Sequence, residues 1–502
     1  MQLRNFKKYF KNKKESAFIM KKQTKLVAVL STAALLAIGA SMTSFAATGW
    51  AEEDGTWVYY NRDGERATDS WKKSGNNWYY LDSDGEMAID QLIEDGDNYY
   101  YVDINGVMAS NQWVAIENED AGDDNEPEHY WYYFQANGKA LTNGDNSNIA
   151  LKTINGKKYE FDQYGAMTAE WSLDVEKASK DGVRSGNSSS STNSVAAQYA
   201  KEWRYFNSVE DGARVSRGWF KVVAAEYLNY DKYNDDEDAW YYADGSGNLY
   251  AGEFKTIKGK KYAFRNDGRM VNGLKFIKGE GTGSLDVKAD DDDNKPFDDE
   301  DRFDENALWY EANGYDCYYF GDGDDGAMRT NKTSVAIDGD NYNFYFEKSG
   351  GNKGAGVTGE KDDKYYQSGK LVRAGSDEKY QVVKHVNETD AVGYDKLDDA
   401  DEFITELGAD VKYHVSTVVT QENLDALGVN KKLEDIQEIA VITRDVVVDG
   451  RTEVKSGTDA EDFFLVNTSG KVIDSKSKNK DGNDYQFVVA KGGSILGYYV
   501  ED

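Results

Sequence analysis

The sequence predicts a mainly β fold, a solenoid of stacked β-hairpin repeats of about 20 residues each. Three observations lead to this prediction. Residues 49–113 repeat every 21 residues, as the spacing of Gly64, Gly85 and Gly106 shows. Each unit holds an aromatic run with strong β propensity, such as residues 78–81, and each has glycine turn signals. A lone hairpin is marginally stable in water, whereas stacked hairpins share a continuous core.

Two turn signals define one unit. Asp84-Gly85, and its equivalent one period later, suits the positive φ angles of a tight hairpin turn. Residues 74–76, Ser-Gly-Asn, are a second turn signal. Each unit is therefore predicted to be one hairpin plus a connecting turn. The density of Trp and Tyr exceeds what core filling needs, which favours a ligand-binding role; the alternative is that these rings only form the core.

The units resemble the cell-wall/choline-binding repeats of Gram-positive surface proteins, a group that includes glucan-binding relatives. Residues 49–64 and 71–87 match the family pattern of a first Trp, a Trp-Tyr-Tyr run, a glycine turn and then Met. The resemblance implies a hairpin solenoid whose ligands lie between consecutive hairpins, enclosed by two Trp of one repeat and a Tyr of the next. A quaternary ammonium ion in such a box is held by cation–π attraction.

Aligning the turn glycines carries this implied site onto four complete aromatic sets. They are set A (Trp50, Trp57, Tyr79), set B (Trp71, Trp78, Tyr100), set C (Trp113, Trp131, Tyr159) and set D (Trp219, Trp240, Tyr262). Only sets A and B have the family spacing without an insertion. A further set is predicted to be broken, because Leu92 and Tyr99 replace both Trp. Trp171, Trp203 and Tyr241 form a set only if the intervening loop folds away, and after Tyr262 only structural units are expected.

The first 46 residues are predicted to be a signal peptide. A basic region begins at Met20, an apolar run follows at 26–40, and small residues precede a cleavage point after Ala46 or Ala47. Met20 is a plausible alternative start of translation. No second hydrophobic stretch follows, so no membrane span is expected after cleavage. Without a sorting motif, the protein is predicted to be secreted and attached to the cell surface non-covalently.

The remaining chain is divided by composition into four predicted segments. These are repeats at 47–171, a Ser/Asn-rich loop or linker at 172–200, increasingly degenerate repeats at 201–376, and a C-terminal part at 377–502. The C-terminal part is predicted to be a small α+β module or degenerate repeats with a helical insertion. Helical spacing is found at 397–407 and 422–439, and a strand at 441–448. Residues 290–301 are predicted to be a solvated acidic loop.

Charge and cysteine content exclude several classes of partner. The formal net charge is −32, and the predicted leader removes nine Lys or Arg against one Glu, so the rest is more acidic still. Such a chain repels nucleic acid and anionic lipid, and it suits a cationic ligand or a well-solvated surface. A single cysteine, Cys317, excludes an intrachain disulfide.

These observations predict an exported, non-catalytic surface protein that binds choline or teichoic acid of the cell wall. One alternative is an exopolysaccharide or glucan, because Trp and Tyr faces also stack on sugars. Others are an adhesin that contacts a host or surface protein through 377–502, or a lytic enzyme active there. His129, His385 and His414 are scattered, which predicts neither a metal site nor a cofactor. The abundant carboxylates leave a glycosidase-type pair open.

Overall fold

The computed structural model describes residues 48–502 except 119, 122–125, 145–148, 175–192, 280–282, 289–298, 410–412, 449–450 and 457–461. The predicted signal peptide and the alternative start lie outside the described residues. The fold is mainly β, in small antiparallel sheets. The described residues form two compact units, one within 48–184, 201–220 and 242–249, the other within 185–200, 221–241 and 250–502.

Two-stranded antiparallel hairpins follow one another from the first described residues. They pair β1 (Gly49–Glu53) with β2 (Thr56–Tyr60), β3 (Ser70–Ser74) with β4 (Asn77–Leu81), β5 (Gln91–Asp95) with β6 (Asn98–Val102), β7 (Gln112–Glu117) with β8 (His129–Phe134), β9 (Lys152–Ile154) with β10 (Lys157–Tyr159), β11 (Glu170–Leu173) with β12 (Trp203–Phe206), β13 (Gly218–Val223) with β14 (Asp238–Ala243), and β15 (Glu253–Ile257) with β16 (Lys260–Phe264).

The two turns of a unit have the opposite roles to those predicted. The tip of hairpin β3–β4 is Gly75-Asn76, whereas Asp84-Gly85 lies in the turn after β4, where Gly85 N donates to Asp82 O at 3.0 Å. That connecting turn brings Met87 back beside Leu81 in an isolated bridge. Both turns contain a glycine at positive φ, so residue preference alone could not tell the tip from the connecting turn.

The same backbone hydrogen bond joins a hairpin to the next one at several points along the chain. The donor is the backbone amide two residues after the glycine of a connecting turn. The acceptor is a backbone carbonyl of the hairpin one unit earlier, at the position that the second Trp occupies in the repeat. The bonds run from Met87 to Trp57 (2.7 Å), Met108 to Trp78 (2.9 Å), Ala140 to Tyr99 (2.7 Å), Met167 to Trp131 (2.7 Å), Met270 to Trp240 (2.7 Å) and Met328 to Lys261 (2.8 Å). The second Trp of a hairpin is thereby fixed to the following unit.

The methionines of the repeat pack on the glycine of the next connecting turn. A Cβ placed on Gly106, whose φ is +74°, would lie 2.8 Å from Met87 Cε. Met108 contacts Gly138 in the same way, and the pairs Met167 with Gly212, Met270 with Gly326 and Met328 with Gly354 repeat it. The Gly-x-Met pattern therefore reflects a contact between neighbouring units. The methionine side chain of one unit packs against the glycine of the next unit, where a Cβ atom would not fit.

Gly106→Ala is expected to lower the free energy of unfolding by about 2–4 kcal/mol, because it combines a strained φ with the overlap on Met87. Chemical denaturation followed by far-UV circular dichroism measures it. Gly96→Ala is the matched control: its φ is +61°, yet nothing lies within 4 Å of an added Cβ. That control should lose only about 1–2 kcal/mol. Equal losses in the two variants would contradict a role for the Met87 contact.

After residue 273 the strands join larger antiparallel sheets. A three-stranded sheet holds β17 (Leu274–Gly279), β18 (Leu285–Lys288) and β19 (Asp316–Tyr319); a five-stranded sheet holds β20 (Asn331–Ile337), β21 (Asp340–Phe346), β22 (Gly359–Lys361), β23 (Lys364–Gln367) and β24 (Lys370–Leu371); another of three strands holds β25 (Tyr380–Asn387), β26 (Val392–Lys396) and β30 (Phe463–Asn467); and a six-stranded sheet holds β27 (Tyr413–Ser416), β28 (Ile436–Val448), β29 (Arg451–Ser456), β31 (Ser477–Lys480), β32 (Gln486–Val489) and β33 (Ile495–Glu501).

Helices correct three sequence predictions. They are α1 (Asn193–Lys201), α2 (Tyr230–Asn234), α3 (Glu300–Ala312), α4 (Ala400–Ala409) and α5 (Gln421–Ala426), with a 3-10 turn at Leu433–Asp435. The predicted loop 172–200 contains most of α1, and the end of the predicted acidic loop begins α3, which Asp299 caps by accepting from Arg302 N. The helical spacing at 422–439 covers α5 but then runs wrongly into β28. The division into domains stays a prediction.

Helix α3 is attached to the sheets by an ion cluster centred on the buried Lys370. Lys370 Nζ, on a residue only 3% exposed, lies 2.5 Å from Glu300 Oε1 and 2.8 Å from Asp304 Oδ1. Lys396 Nζ lies 2.9 Å from Asp304 Oδ2. Burial by itself raises the pKa of Glu300, but the two ammonium groups outweigh burial and lower that pKa to about 2. The cluster therefore depends on both lysines.

Candidate aromatic ligand site

Strand register places the two Trp of a set on one face of their hairpin. In β3–β4, Trp71 is opposite Tyr80 and Lys73 is opposite Trp78. Opposed residues share a face, and so do residues two positions apart along a strand. All four side chains therefore lie on the same face. The register of β1–β2 and of β7–β8 gives the equivalent arrangement in sets A and C.

The tyrosine of each set comes from the following hairpin and contacts the first Trp. The ring centroids are 5.3 Å apart for Trp50 and Tyr79, 5.0 Å for Trp71 and Tyr100, and 4.9 Å for Trp113 and Tyr159. The interplanar angles are 71°, 58° and 61° respectively. Because the rings meet at steep angles, each pair forms a corner instead of a closed stack.

In sets A and C the second Trp is more accessible than the tyrosine, and in set B the second Trp is exposed. Trp78 is 40% exposed, whereas Tyr79 is 5% and Tyr159 is 7% exposed. Trp57 and Trp131 are half-buried. A cation is attracted to a ring face within about 6 Å of the ring centroid. A corner of two rings with an accessible third ring beside it provides such faces.

Carboxylates lie beside two of the sets. Asp95 Oδ2, at the tip of hairpin β5–β6, accepts from Trp71 Nε1 at 3.1 Å in set B. Burial, and after it this carboxylate, raise the pKa of Tyr100. In set C, Glu210 Oε2 accepts from Trp131 Nε1 at 3.2 Å, and its other oxygen is 3.0 Å from His129 Nε2. Both groups place negative charge where a bound cation would benefit from it.

Set A has no equivalent acceptor for its first Trp among the residues that the structure describes. Trp50 Nε1 is buried there without a hydrogen-bond partner. Sequence reasoning missed both carboxylates of the other sets. Glu210 is 79 residues from Trp131 and no repeat pattern connects them. Asp95 had a usable signal, because it sits at a hairpin tip one unit after Trp71.

The remaining predicted sets have different surroundings. Trp219 lies in the first compact unit, with its ring 5.0 Å from Tyr242, whereas Trp240 and Tyr262 lie in the second, so set D stays a prediction. Trp171 and Trp203 occupy opposite strands of hairpin β11–β12, with ring centroids 6.1 Å apart. Trp203 is only 5% exposed, so its ring belongs to the interior of that hairpin.

The predicted broken set is part of the core. Leu92 and Tyr99 pack against Tyr132, Phe134 and Ala140. Burial raises the pKa of the Tyr99 hydroxyl to about 12, with nearby carboxylates adding to the effect. With Leu92 in place of the first Trp, this position has one ring fewer and makes an apolar contact with the next hairpin.

Two of the three histidines lie in strands of the larger sheets, His385 in β25 and His414 in β27. Across the part of the chain that the structure describes, no cluster of three or more His, Cys, Asp or Glu is placed to hold a metal ion. In the same residues, no helix combines the length and the apolar character needed to cross a membrane.

Residues 67–113 match the sequence profile of the choline-binding repeat. Among solved structures, the choline-binding domain of Spr1274 from Streptococcus pneumoniae is 34% identical over 95% of that domain and 19% of this chain, with a TM-score of 0.15. The chain belongs to the proteins that carry choline-binding repeats. No curated protein matches it.

Two further structures from Streptococcus pneumoniae are also similar. The modular autolysin LytC is 19% identical, with 66% of this chain and 54% of that chain covered and a TM-score of 0.33. The chain thus spans about half the length of that autolysin. Choline-binding protein F is 19% identical over 65% of this chain and 98% of that chain, with a TM-score of 0.27.

Proposed function

We propose that this protein is an exported, non-catalytic surface protein that binds choline-bearing polymers of the bacterial cell wall. In this proposal the hairpins form a solenoid, and choline headgroups enter the aromatic corners between consecutive hairpins. The observation that supports it best is the repeated contact of a first Trp with the tyrosine of the next hairpin in sets A, B and C. The match to choline-binding repeats adds support, since it covers the whole of the hairpin that carries Trp71 and Trp78.

The wall is the partner that this chemistry suits. A polymer that carries many quaternary ammonium groups can occupy several sets at once, so weak single sites combine into strong attachment. The acidic chain adds long-range attraction for such a polymer. The proposal therefore places the protein outside the cell, held to the surface without a covalent bond.

Calorimetric titration of the purified protein with choline chloride tests this function. Trp57→Ala and Trp78→Ala are each expected to remove one binding site from the measured stoichiometry, because each removes a ring face from one set. Trp309→Ala is the matched control, since Trp309 is also largely exposed, at 46%, but lies on helix α3 outside the hairpin repeats.

The same titration distinguishes the competing ligand. A response to a soluble α-glucan but not to choline would reassign the aromatic corners to sugar stacking and overturn the choline proposal. Absence of any response to both ligands would mean that the rings serve only the packing of the hairpins.

A further inference from the structure

Set B contains a cation of its own. Lys73 Nζ lies over the ring of Trp78, 5.9 Å from its centroid. The register pairs Lys73 with Trp78, and Lys73 follows Trp71 by two positions, so its side chain shares the face that carries both rings of the set. This is the ring face that an external ammonium group would approach.

The equivalent position differs in charge among the sets. Glu52 is opposite Trp57 in set A, and Ala115 is opposite Trp131 in set C. Set B alone of these three places a positive charge there. Two cations cannot share one ring face without strong mutual repulsion, so a ligand must displace the lysine before it binds.

We propose that Lys73 is a specificity-determining residue that competes with cationic ligands for Trp78. The inference rests on the proposed function and adds that the sets differ in their affinity for choline. Set B binds choline more weakly than its rings alone would allow, despite the carboxylate of Asp95. Sets A and C have no lysine opposite the second Trp, although Lys72 lies over the ring of Tyr59 beside set A. The chain thus carries sites of graded affinity for one quaternary ammonium ligand.

Site-resolved binding tests the ranking. The full protein is labelled with 5-fluorotryptophan and titrated with choline chloride at constant ionic strength, and ¹⁹F NMR follows the Trp78 signal, which is assigned by its loss in Trp78→Phe. Lys73→Gln is expected to lower the choline concentration at half-saturation of this signal by about three-fold to ten-fold. Lys73→Arg keeps the cation and should leave that concentration unchanged.

Two controls separate local competition from other effects. Lys72→Gln removes the same charge one residue away, but Lys72 is on the opposite face, with its Nζ 5.1 Å from the centroid of Tyr59. It should not strengthen choline binding at Trp78. The second control is 3,3-dimethylbutan-1-ol, which has the shape of choline without its charge. Its affinity should rise much less in Lys73→Gln than that of choline.

The signals of Trp57 and Trp131 in the same spectra report on sets A and C. If they respond to choline while Lys73→Gln leaves the Trp78 titration unchanged, the inference fails and the proposed function stands. An equal gain for choline and for its neutral analogue would also overturn it, because Lys73 would then be a steric obstacle. If no tryptophan responds to choline in any variant, both proposals fail.

Discussion

Trp131→Ala is expected to weaken choline binding at set C by at least about ten-fold, because it removes one ring face and separates Glu210 from the site. Trp131 is the better choice for this test than Trp113, which packs against Tyr133 and Phe161 and supports the core of its hairpin. The measurement is calorimetric titration with choline, with far-UV circular dichroism as a check that the hairpins remain folded.

Two further variants divide this effect into its parts. Trp131→Phe keeps a ring face but loses the indole donor to Glu210, so it should fall between the native protein and Trp131→Ala. Glu210→Gln keeps both rings and removes the charge, and it should weaken choline binding by about three-fold to ten-fold while leaving a neutral analogue unaffected. Native affinity at set C in Trp131→Ala would contradict the placement of a ligand there.

Lys370→Met is expected to destabilise the second compact unit by about 2–4 kcal/mol at pH 7, because it removes a buried ammonium group and leaves two half-buried carboxylates with only Lys396. Denaturant unfolding followed by circular dichroism measures it. Lys384→Met is the matched control: Lys384 Nζ is 2.6 Å from Glu406 Oε2, but its side chain is 23% exposed. That more accessible pair should contribute only about 1 kcal/mol.

The pH dependence of the same variant identifies its cause. The pKa of Glu300 is lowered to about 2 in the folded protein from its ordinary value of 4.5, so its stabilising charge is present above pH 4.5 and is lost as pH falls towards 2. The stability difference between native protein and Lys370→Met should therefore shrink over this window. A difference that stays constant from pH 7 to pH 3 would point to lost packing instead of lost charge.

The repeating part of the fold was accessible from sequence because its signals are local. Glycine spacing and the Trp-Tyr-Tyr runs predicted the hairpins, and the resemblance to the repeat family, carried along the chain by the turn glycines, paired Trp113 with Tyr159. The roles of the two turns were not accessible, since glycine has a positive φ in both. The two turns differ in that the glycine of the connecting turn contacts a neighbouring unit, as Gly106 contacts Met87. This contact depends on how the units pack and cannot be recognised from the residues of the turn alone.

The errors in the rest of the chain have different physical causes. Helix α3 was missed because its acidic residues resemble those of a solvated loop. Phe303, Ala307 and Leu308 nevertheless recur at helical spacing and are buried. The helical reading of 422–439 failed because β28 pairs with β33 across the six-stranded sheet, which overrides local spacing. Glu210 was missed because only tertiary structure brings it to Trp131.

The contrast between the two turns limits where this chain can accept new sequence. Connecting turns are held by a neighbouring unit, and most have one length, as at Asp82–Gly85 and Arg265–Gly268, although the bridge from Phe206 to Arg214 closes a longer one. Hairpin tips vary from two residues between β3 and β4 to the long segment between β11 and β12 that contains α1. Duplication and divergence can therefore enlarge the tips while the spacing of the aromatic corners is preserved. Gly75-Asn76 is accordingly a suitable point for grafting a foreign epitope onto the protein.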